Sequence, residues 1–202
     1  MPRPARYAKG LAKREEILTT ALDVIARTGY RRTSVKELAS AVGLSQAGLL
    51  HYFSSKEELF AEILALRDVV DSDAARNRDE SQVDALVSIV RHTATVPGLV
   101  QLYAQFAVEA GHPDHPAHVA FLDRYTGLRT SLAQDIADRQ QAGTLSSAID
   151  PLTAATILIA AADGLQTQWL LDPRLDMAEH LAALVSLLGS APGPAALPAP
   201  VR

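Results

Sequence analysis

The sequence predicts an all-α protein, on two observations. No segment shows the sustained alternation of apolar and polar residues that marks a half-buried strand, and aromatic residues make up only 5% of the 202 residues. Apolar residues instead recur at helical spacing along most of the chain. With helix-capping residues and prolines at matching intervals, this periodicity predicts about nine helices.

The first two predicted helices follow a short basic segment. Residues 1–10 are expected to form a flexible basic arm. The next segment, 11–28, has apolar residues on one face and is followed by Gly29, a residue that favours the end of a helix. A second helix is predicted to begin at Ser34, because Ser34 and Glu37 have the spacing of a capping box, and to end near residue 41.

Two more helices follow after a tight turn at residues 42–44. Ser45 is a good amino-terminal cap for a short third helix that ends near residue 51. Ser55 and Glu58 repeat the capping-box spacing and open a fourth helix, which is expected to run to about residue 75.

The rest of the chain continues the helical pattern. Asp150-Pro151 and Asp172-Pro173 each place a capping acid before a proline at the first helical position. Residues 190–202 alternate Pro, Gly and Ala and are predicted to be a disordered tail. The five further helices are expected near residues 80–95, 97–110, 115–142, 151–171 and 174–189.

The net charge of −4 is distributed unevenly. Residues 1–56 contain ten Lys or Arg and four acids, whereas the remainder contains nine basic and nineteen acidic side chains. A basic head on an acidic body is typical of a nucleic-acid-binding domain carried by one that does not bind nucleic acid. We therefore predict a boundary after residue 56, with a second domain over residues 57–189.

Several classes of protein are disfavoured. The chain has no cysteine, which excludes disulfides, thiol catalysis and cysteine-based zinc sites. Its amino terminus has no apolar run of the secretory type, so the expected location is cytoplasmic. Asp163, Gln166 and Gln168 interrupt the longest apolar stretch, residues 152–171, which therefore predicts a buried helix and no membrane span. No nucleophile elbow, phosphate loop, dinucleotide fingerprint or zinc-protease motif is present, so we do not expect an enzyme or a cofactor.

Residues 34–53 have the spacing of a helix-turn-helix. Two helices of about seven residues flank a turn at Gly43 and are too short to bury much surface alone, so their apolar residues must pack on the first helix. An ordinary αα-hairpin is the alternative interpretation. The surrounding Arg31, Arg32 and Lys36 favour DNA binding, because phosphates require basic neighbours.

The same region resembles the DNA-binding domain of the TetR family over about 50 residues. The resemblance is carried by the runs Ile17–Ala26, Gly29-Tyr30, Thr33-Ser34-Val35, Glu37-Leu38-Ala39, Gly43-Leu44-Ser45, and Phe53 with Ser55-Lys56-Glu57-Glu58-Leu59. It implies an amino-terminal three-helix DNA-binding domain and a carboxyl-terminal helical domain for ligand binding and dimerisation.

The resemblance also implies which residues contact DNA. Thr33 and Ser34 would offer groups to a phosphate, as would Lys56. Gln46 has the amide to read an adenine, and Ala47 a methyl group to touch thymine. The expected contact set is Thr33, Ser34, Ser45, Gln46, Ala47, Gly48, His51, Tyr52 and Lys56. The family usually has a tyrosine where this chain has Leu50, so His51 or Tyr52 is expected to replace that contact.

In proteins of this family the last two long helices pair with those of a second subunit, so the resemblance implies a homodimer and a palindromic double-stranded DNA site. A small-molecule site would lie among the middle helices, where a few polar or aromatic residues interrupt apolar stretches. The candidates are Tyr103, Phe106, Glu109, Phe121, Tyr125, Gln166 and Trp169, each of which is individually also consistent with core packing.

The segment with His112, His115 and His118 is the one metal-like pattern. Because Pro113 and Pro116 mark a loop there, no metal site is predicted. The predicted function is a repressor that a small-molecule effector releases from its operator. The alternative is a constitutive repressor or an activator of the same fold without an effector.

Overall fold

The computed structural model describes residues 4–29 and 33–189, and within them it contains nine helices and no strand. The prediction of an all-α fold is confirmed. The expected tail at 190–202, and Arg31 and Arg32, lie outside the described residues. The helices are α1 (Pro4–Thr28), α2 (Val35–Ala41), α3 (Gln46–Leu50), α4 (Lys56–Asn77), α5 (Gln82–Thr93), α6 (Pro97–Ala110), α7 (His118–Gln141), α8 (Pro151–Leu171) and α9 (Met177–Gly189).

Two helix starts differ from the sequence prediction. Helix α1 begins at Pro4, so most of the segment expected to be a flexible arm is helical; proline suits a first helical turn, where its missing N–H is not needed. Helix α9 begins at Met177 and not near residue 174. Asp176 is its cap, accepting a 2.9 Å hydrogen bond from the Glu179 N–H, whereas the Asp172 carboxylate binds Arg174.

The predicted caps of the head are present. The Ser34 hydroxyl accepts from the Glu37 N–H, and the Glu37 carboxylate accepts in return from the Ser34 N–H, as in a capping box. The second box is only half formed. Ser55 caps α4 by accepting from the Glu58 N–H, but the Glu58 carboxylate accepts from the N–H of Ser54.

Two apolar cores hold the helices together. The first joins α1 to α4 and also takes in residues of α6 and α7, among them Leu99, Leu102, Phe106 and Phe121. The second lies in the body between α5, α7, α8 and α9, around Leu158 and Trp169. The helix-turn-helix is therefore packed directly on the body. None of the described helices is both long and apolar enough to cross a membrane.

Candidate DNA-binding surface and internal cavity

Helix α3 is held by one face and exposes the other. On the inner face of the helix Leu49 is fully buried, and the Ser45 hydroxyl caps the first turn of α3 by accepting from the Gly48 N–H at 3.0 Å. Gln46, Ala47 and His51 are exposed, as expected for residues that meet base edges. Leu50 also lies on the exposed face.

The helix-turn-helix is fixed by apolar contacts on α1. Helices of seven and five residues bury too little surface to be stable alone, so their orientation depends on this packing. The turn between them uses Gly43 in the left-handed region (φ +68°), which glycine adopts without strain. The buried residues on the two sides are Ile17, Ala21 and Ile25 of α1, and Leu38, Ala39, Val42, Leu49 and Phe53.

Thr33 and Ser34 both use their polar groups in hydrogen bonds to other residues of the protein. Thr33 is only 2% exposed, and its hydroxyl donates to the Gly29 carbonyl at 2.7 Å. The Thr33 hydroxyl therefore closes the α1–α2 connection in this structure, and the phosphate contact expected at Thr33 stays a prediction. Ser34 is exposed, but its N–H and hydroxyl both bind Glu37.

The other three residues expected to contact DNA lie in α3, just after α3 and at the start of α4. Gly48 is half-buried, and a β-carbon there would lie 3.2 Å from the Ser45 Oγ, so glycine leaves room for the cap. The ring of Tyr52 is half-buried and meets that of His51 edge-on at 5.9 Å. Lys56 opens α4, with its ammonium 5.0 Å from the centre of the Phe60 ring.

Arg14 joins α1 to the segment that follows α3, a role that the sequence did not predict. Its guanidinium donates to Glu62 of α4 at 3.0 Å and to the carbonyl of Tyr52, and it lies 4.3 Å from the centre of the Phe53 ring. Glu58 is a further ion-pair partner at 3.2 Å. Burial alone would lower the pKa of Arg14, but its hydrogen bonds and ion pairs with Glu62 and Glu58 outweigh this and raise the pKa.

A cavity of about 80 Å³ lies in the body between α4, α5, α6, α7 and α8. Its wall is mainly apolar, with five charged residues: Arg67, Asp68, Asp71, Arg124 and Asp163. A wider groove of about 470 Å³ between α4, α5 and α7 shares Asp68, Leu86, Ile89 and Leu128 with it. Because the cavity alone is smaller than a typical drug-sized pocket, a compact ligand fits it best.

A chain of hydrogen bonds crosses this cavity from α4 to α8. Arg124 of α7 binds Asp68 of α4 through two contacts, of 2.5 and 2.8 Å, and donates to the Tyr103 hydroxyl at 2.8 Å. The Tyr103 hydroxyl donates to that of Tyr125 at 3.0 Å, and Tyr125 donates to the Asp163 carboxylate at 2.8 Å. From the bond between Arg124 and Tyr103 onward, each donor points towards Asp163, whereas the two bonds from Arg124 to Asp68 point the other way.

The charges around the cavity are paired except at Asp163. Arg124 pairs with Asp68, and Arg67 lies 2.7 Å from Asp71. Asp163 has no basic partner within ion-pair distance among the described residues. Burial raises the pKa of its carboxyl, and the hydrogen bond from Tyr125 and the positive charge of the nearby Arg124 oppose this rise only in part.

Only some of the residues predicted for the ligand site reach the cavity. Tyr103 and Gln166 line it, and Tyr125 is one hydrogen bond away, at Asp163. Phe106 and Phe121 instead pack together in the first core, their ring centres 5.6 Å apart, and Trp169 is buried in the second core. Glu109 is exposed on α6. These four therefore lie outside the cavity wall.

The charged residues of the cavity were not predicted from the sequence. Arg67, Asp68, Asp71 and Arg124 lie on long helices rich in charge, where alternating signs are typical of a solvated face. Asp163 stands out in the sequence as an acid within an apolar stretch, but this pattern alone indicates a buried helix and does not predict a cavity.

The histidine segment shows no metal site. His115 packs edge-on against Phe106, with ring centres 5.2 Å apart, and the His118 Nδ1 lies 2.8 Å from the Ala110 carbonyl oxygen. Within the described ranges no group of three or more His, Asp or Glu side chains is arranged to hold a metal ion.

Fold and surface together define a helix-turn-helix DNA-binding protein with a cavity-containing helical body. Residues 17–63 match the bacterial regulatory proteins of the tetR family, and residues 65–190 match the carboxyl-terminal domain of BetI-type transcriptional repressors. The chain therefore belongs to the TetR family.

Individual relatives share parts of the chain. The HTH-type transcriptional regulator RutR of Escherichia coli (strain K12) is 40% identical over 60 residues, which cover 30% of this chain and 27% of RutR. The HTH-type transcriptional repressor KstR2 of Rhodococcus jostii (strain RHA1) is 31% identical over 134 residues, 63% of this chain and 62% of KstR2. The alignments thus span under two thirds of either relative.

A solved structure covers more of the chain. It is a transcriptional regulator from Saccharomonospora viridis in complex with choline, with 27% sequence identity and a TM-score of 0.68, covering 86% of this chain and 95% of that chain.

Proposed function

We propose that this protein is a homodimeric, non-enzymatic, cytoplasmic transcriptional repressor that binds a palindromic operator and is released by a small organic cation. The observation that carries the proposal is the unpaired Asp163 carboxylate in a cavity whose walls include α4 and α6, both of which pack in the core of the helix-turn-helix. DNA recognition is assigned to the exposed face of α3, with Gln46, Ala47 and His51 towards the bases.

Dimerisation is assigned to α8 and α9. Ile157 on α8 is 43% exposed, Leu171 at its end 86%, and Leu187 on α9 69%. Ala160 and Gly164 lie on the same exposed side of α8 and permit close approach of a second helix. Two-fold symmetry through these helices would present two recognition helices about 34 Å apart, one turn of DNA.

The effector class follows from the cavity. Asp163 offers a negative charge without a basic partner at ion-pair distance among the described residues, and the Tyr125 hydroxyl donates to it. The Tyr103 ring already faces a cation, the Arg124 guanidinium, at 4.7 Å from the ring centre, so this wall of the cavity accommodates positive charge. The cavity volume limits the ligand to a compact molecule. The complex of the Saccharomonospora viridis regulator with choline supports a ligand of this kind.

The same fold without an effector, as a constitutive repressor or an activator, is the second candidate. The ion pairs of Arg67 and Arg124, the first largely buried and the second partly exposed, favour it, because such pairs also occur as purely structural features of a helical body.

Selection of duplexes from a random DNA library at two salt concentrations tests the first part of the proposal. We expect a palindrome with half-sites about one turn apart, bound less tightly at higher salt because phosphate contacts release counterions. Weak binding without sequence preference would refute operator recognition.

The second part is tested with choline chloride, using its uncharged carbon analogue 3,3-dimethylbutanol as the matched control. Calorimetry should show binding of choline but not of the analogue, and choline should release the selected operator. If neither compound binds, the cation proposal fails while operator recognition stands. If choline binds without releasing DNA, the second candidate is favoured.

A further inference from the structure

Gln166 of α8 is a buried amide without a hydrogen-bond partner. It lines the cavity and is only 9% exposed. It makes no hydrogen bond to any other residue of the described chain. The other polar groups of this wall are engaged, since Arg124 donates to Tyr103 and Asp163 accepts from Tyr125. Because a buried amide without a partner destabilises the folded state, its presence in a cavity wall points to a ligand that completes it.

Gln166 lies next to the unpaired carboxylate of the cavity. Asp163 is three residues earlier on the same helix, so the two side chains share a face and both line the cavity. Their positions differ by about 4.5 Å along the helix axis, a distance that a few covalent bonds span. A ligand with its cationic head at Asp163 therefore places its neighbouring atoms at the Gln166 amide.

The charges of the cavity indicate which polar group fits beside the cation. The wall has two arginines and three aspartates, one negative charge in excess. A single cation balances this excess, whereas a carboxylate on the same ligand would add a further negative charge near Asp163. The buried Nε and Nη2 of Arg67 also make no hydrogen bond within the described residues, despite the ion pair with Asp71, so the wall has surplus donors. An uncharged acceptor oxygen, as in a hydroxyl or carbonyl group, meets both conditions.

We propose that Gln166 is a specificity-determining residue that binds an uncharged oxygen of the effector next to its cationic head. The side-chain amide donates a hydrogen bond to this oxygen while the cation lies at Asp163. The inference rests on the proposed function, for which it names the second group that the protein recognises: the effector is a compact monocation with an oxygen a few bonds from its charged nitrogen.

Choline and propyltrimethylammonium form a matched pair of probes, because the second has a methyl group where choline has its hydroxyl. Calorimetry should show that the wild type binds choline at least about tenfold more tightly, as expected when a buried amide gains or lacks its partner. Gln166→Leu should reduce this preference below about threefold and should bind propyltrimethylammonium at least as tightly as the wild type does. An unchanged preference, or an equal loss of affinity for both compounds, would overturn the proposal.

Gln168→Leu is the control variant, since it makes the same replacement on the exposed side of the same helix and outside the cavity wall. It should keep the wild-type preference for choline, and a loss of preference in both variants would refute a specific role for Gln166. Glycine betaine, which has a carboxylate where choline has its CH2OH group, tests the argument from charge. It should bind less tightly than choline, and tighter binding would overturn the assignment of an uncharged oxygen.

The outcomes separate this inference from the proposed function. If both ammonium compounds bind the wild type equally, the cation stands and the oxygen site fails. If neither binds, the proposed effector class fails, and the stability of the ligand-free protein decides the role of Gln166. An amide without a partner has no hydrogen bond to lose, so Gln166→Leu should melt at or above the wild-type temperature. A decrease of more than about 3 °C would show that the amide stabilises the body itself, and would overturn the proposal.

Discussion

Replacing Arg14 with alanine should destabilise the head more than the same replacement at Arg27, another arginine of α1. Arg14 joins α1 to α4 through Glu58 and Glu62, and to the end of the recognition unit through the Tyr52 carbonyl. Its side chain is 28% exposed, so these contacts are partly shielded from water. Removal would take this donor from the Tyr52 carbonyl and from the Glu62 carboxylate, whereas Glu58 would keep its hydrogen bonds from Ser54.

The magnitude follows from the separate contacts. A hydrogen bond from a charged donor to a backbone carbonyl contributes about 1.5 kcal/mol. The ion pairs, whose carboxylate side chains are about one third exposed, together contribute about 1 kcal/mol after solvent screening. The guanidinium over the Phe53 ring contributes roughly 0.5 kcal/mol. We therefore expect Arg14→Ala to lower the free energy of unfolding by about 3 kcal/mol.

Urea unfolding followed by circular dichroism measures this free energy, and hydrogen exchange of the α3 amides reports where the loss falls. Arg27→Ala is the control, because it removes the same charge from the same helix while Arg27 binds only the Asp23 carbonyl one turn earlier, at 3.2 Å. Arg14→Lys, which keeps the charge without the planar fork, should lie between them. If Arg14→Ala and Arg27→Ala agree within about 0.5 kcal/mol, the network does not stabilise the head.

Three further predictions concern single side chains. Leu50→Tyr adds a hydroxyl to the exposed face of α3 and should tighten operator binding three- to tenfold with the same salt dependence, as measured by fluorescence anisotropy. Asp163→Asn should weaken choline binding at least tenfold in calorimetry. Asp163→Asn should also raise the melting temperature at neutral pH. Burial raises the pKa of the Asp163 carboxyl, so the stability of the wild type falls as the pH rises through this raised pKa, whereas asparagine does not titrate and has no such loss. At Glu58 the pH dependence has the opposite sign, because the Ser54 hydroxyl is the chief group that lowers the pKa of the Glu58 carboxyl. The stabilisation that this carboxylate contributes is present above a pH of about 4.3 and is lost as the pH falls through the lower pKa of the folded state. Ser54→Ala should reduce this loss in acid titrations followed by circular dichroism, whereas Glu57→Gln should leave it unchanged.

The fold was largely predictable because helix signals in this chain are local. Apolar periodicity and the caps at Ser34, Ser45 and Asp150 depend on residues within one turn of each other, and all three caps are present. The start of α9 was predicted wrongly because two local signals compete there. Asp172-Pro173 and Asp176 both have capping spacing, and only packing decides which one starts the helix.

The cavity was less predictable because it is a property of several helices at once. Tyr103 and Gln166 were found as polar residues on apolar stretches, but the same signal selected Phe106 and Trp169, which fill the cores. The Asp68–Arg124 pair joins residues 56 positions apart, and no local pattern distinguishes such a pair from two solvated charges. Thr33 shows the same limit in the head, since its burial depends on the path of the chain around α1.

The shared core explains how a small cavity can control a distant surface. Leu99 and Phe106 of α6 are buried with residues of α1 and α4, so no flexible linker separates the body from the head. A tenfold change in operator affinity requires only about 1.4 kcal/mol of coupling. That is no more than the upper end of the range for one ordinary hydrogen bond. Neutralising Asp163 by a cation would rearrange the hydrogen-bond chain from Asp163 to Asp68, and this rearrangement would reach α4, which packs in the core of the helix-turn-helix.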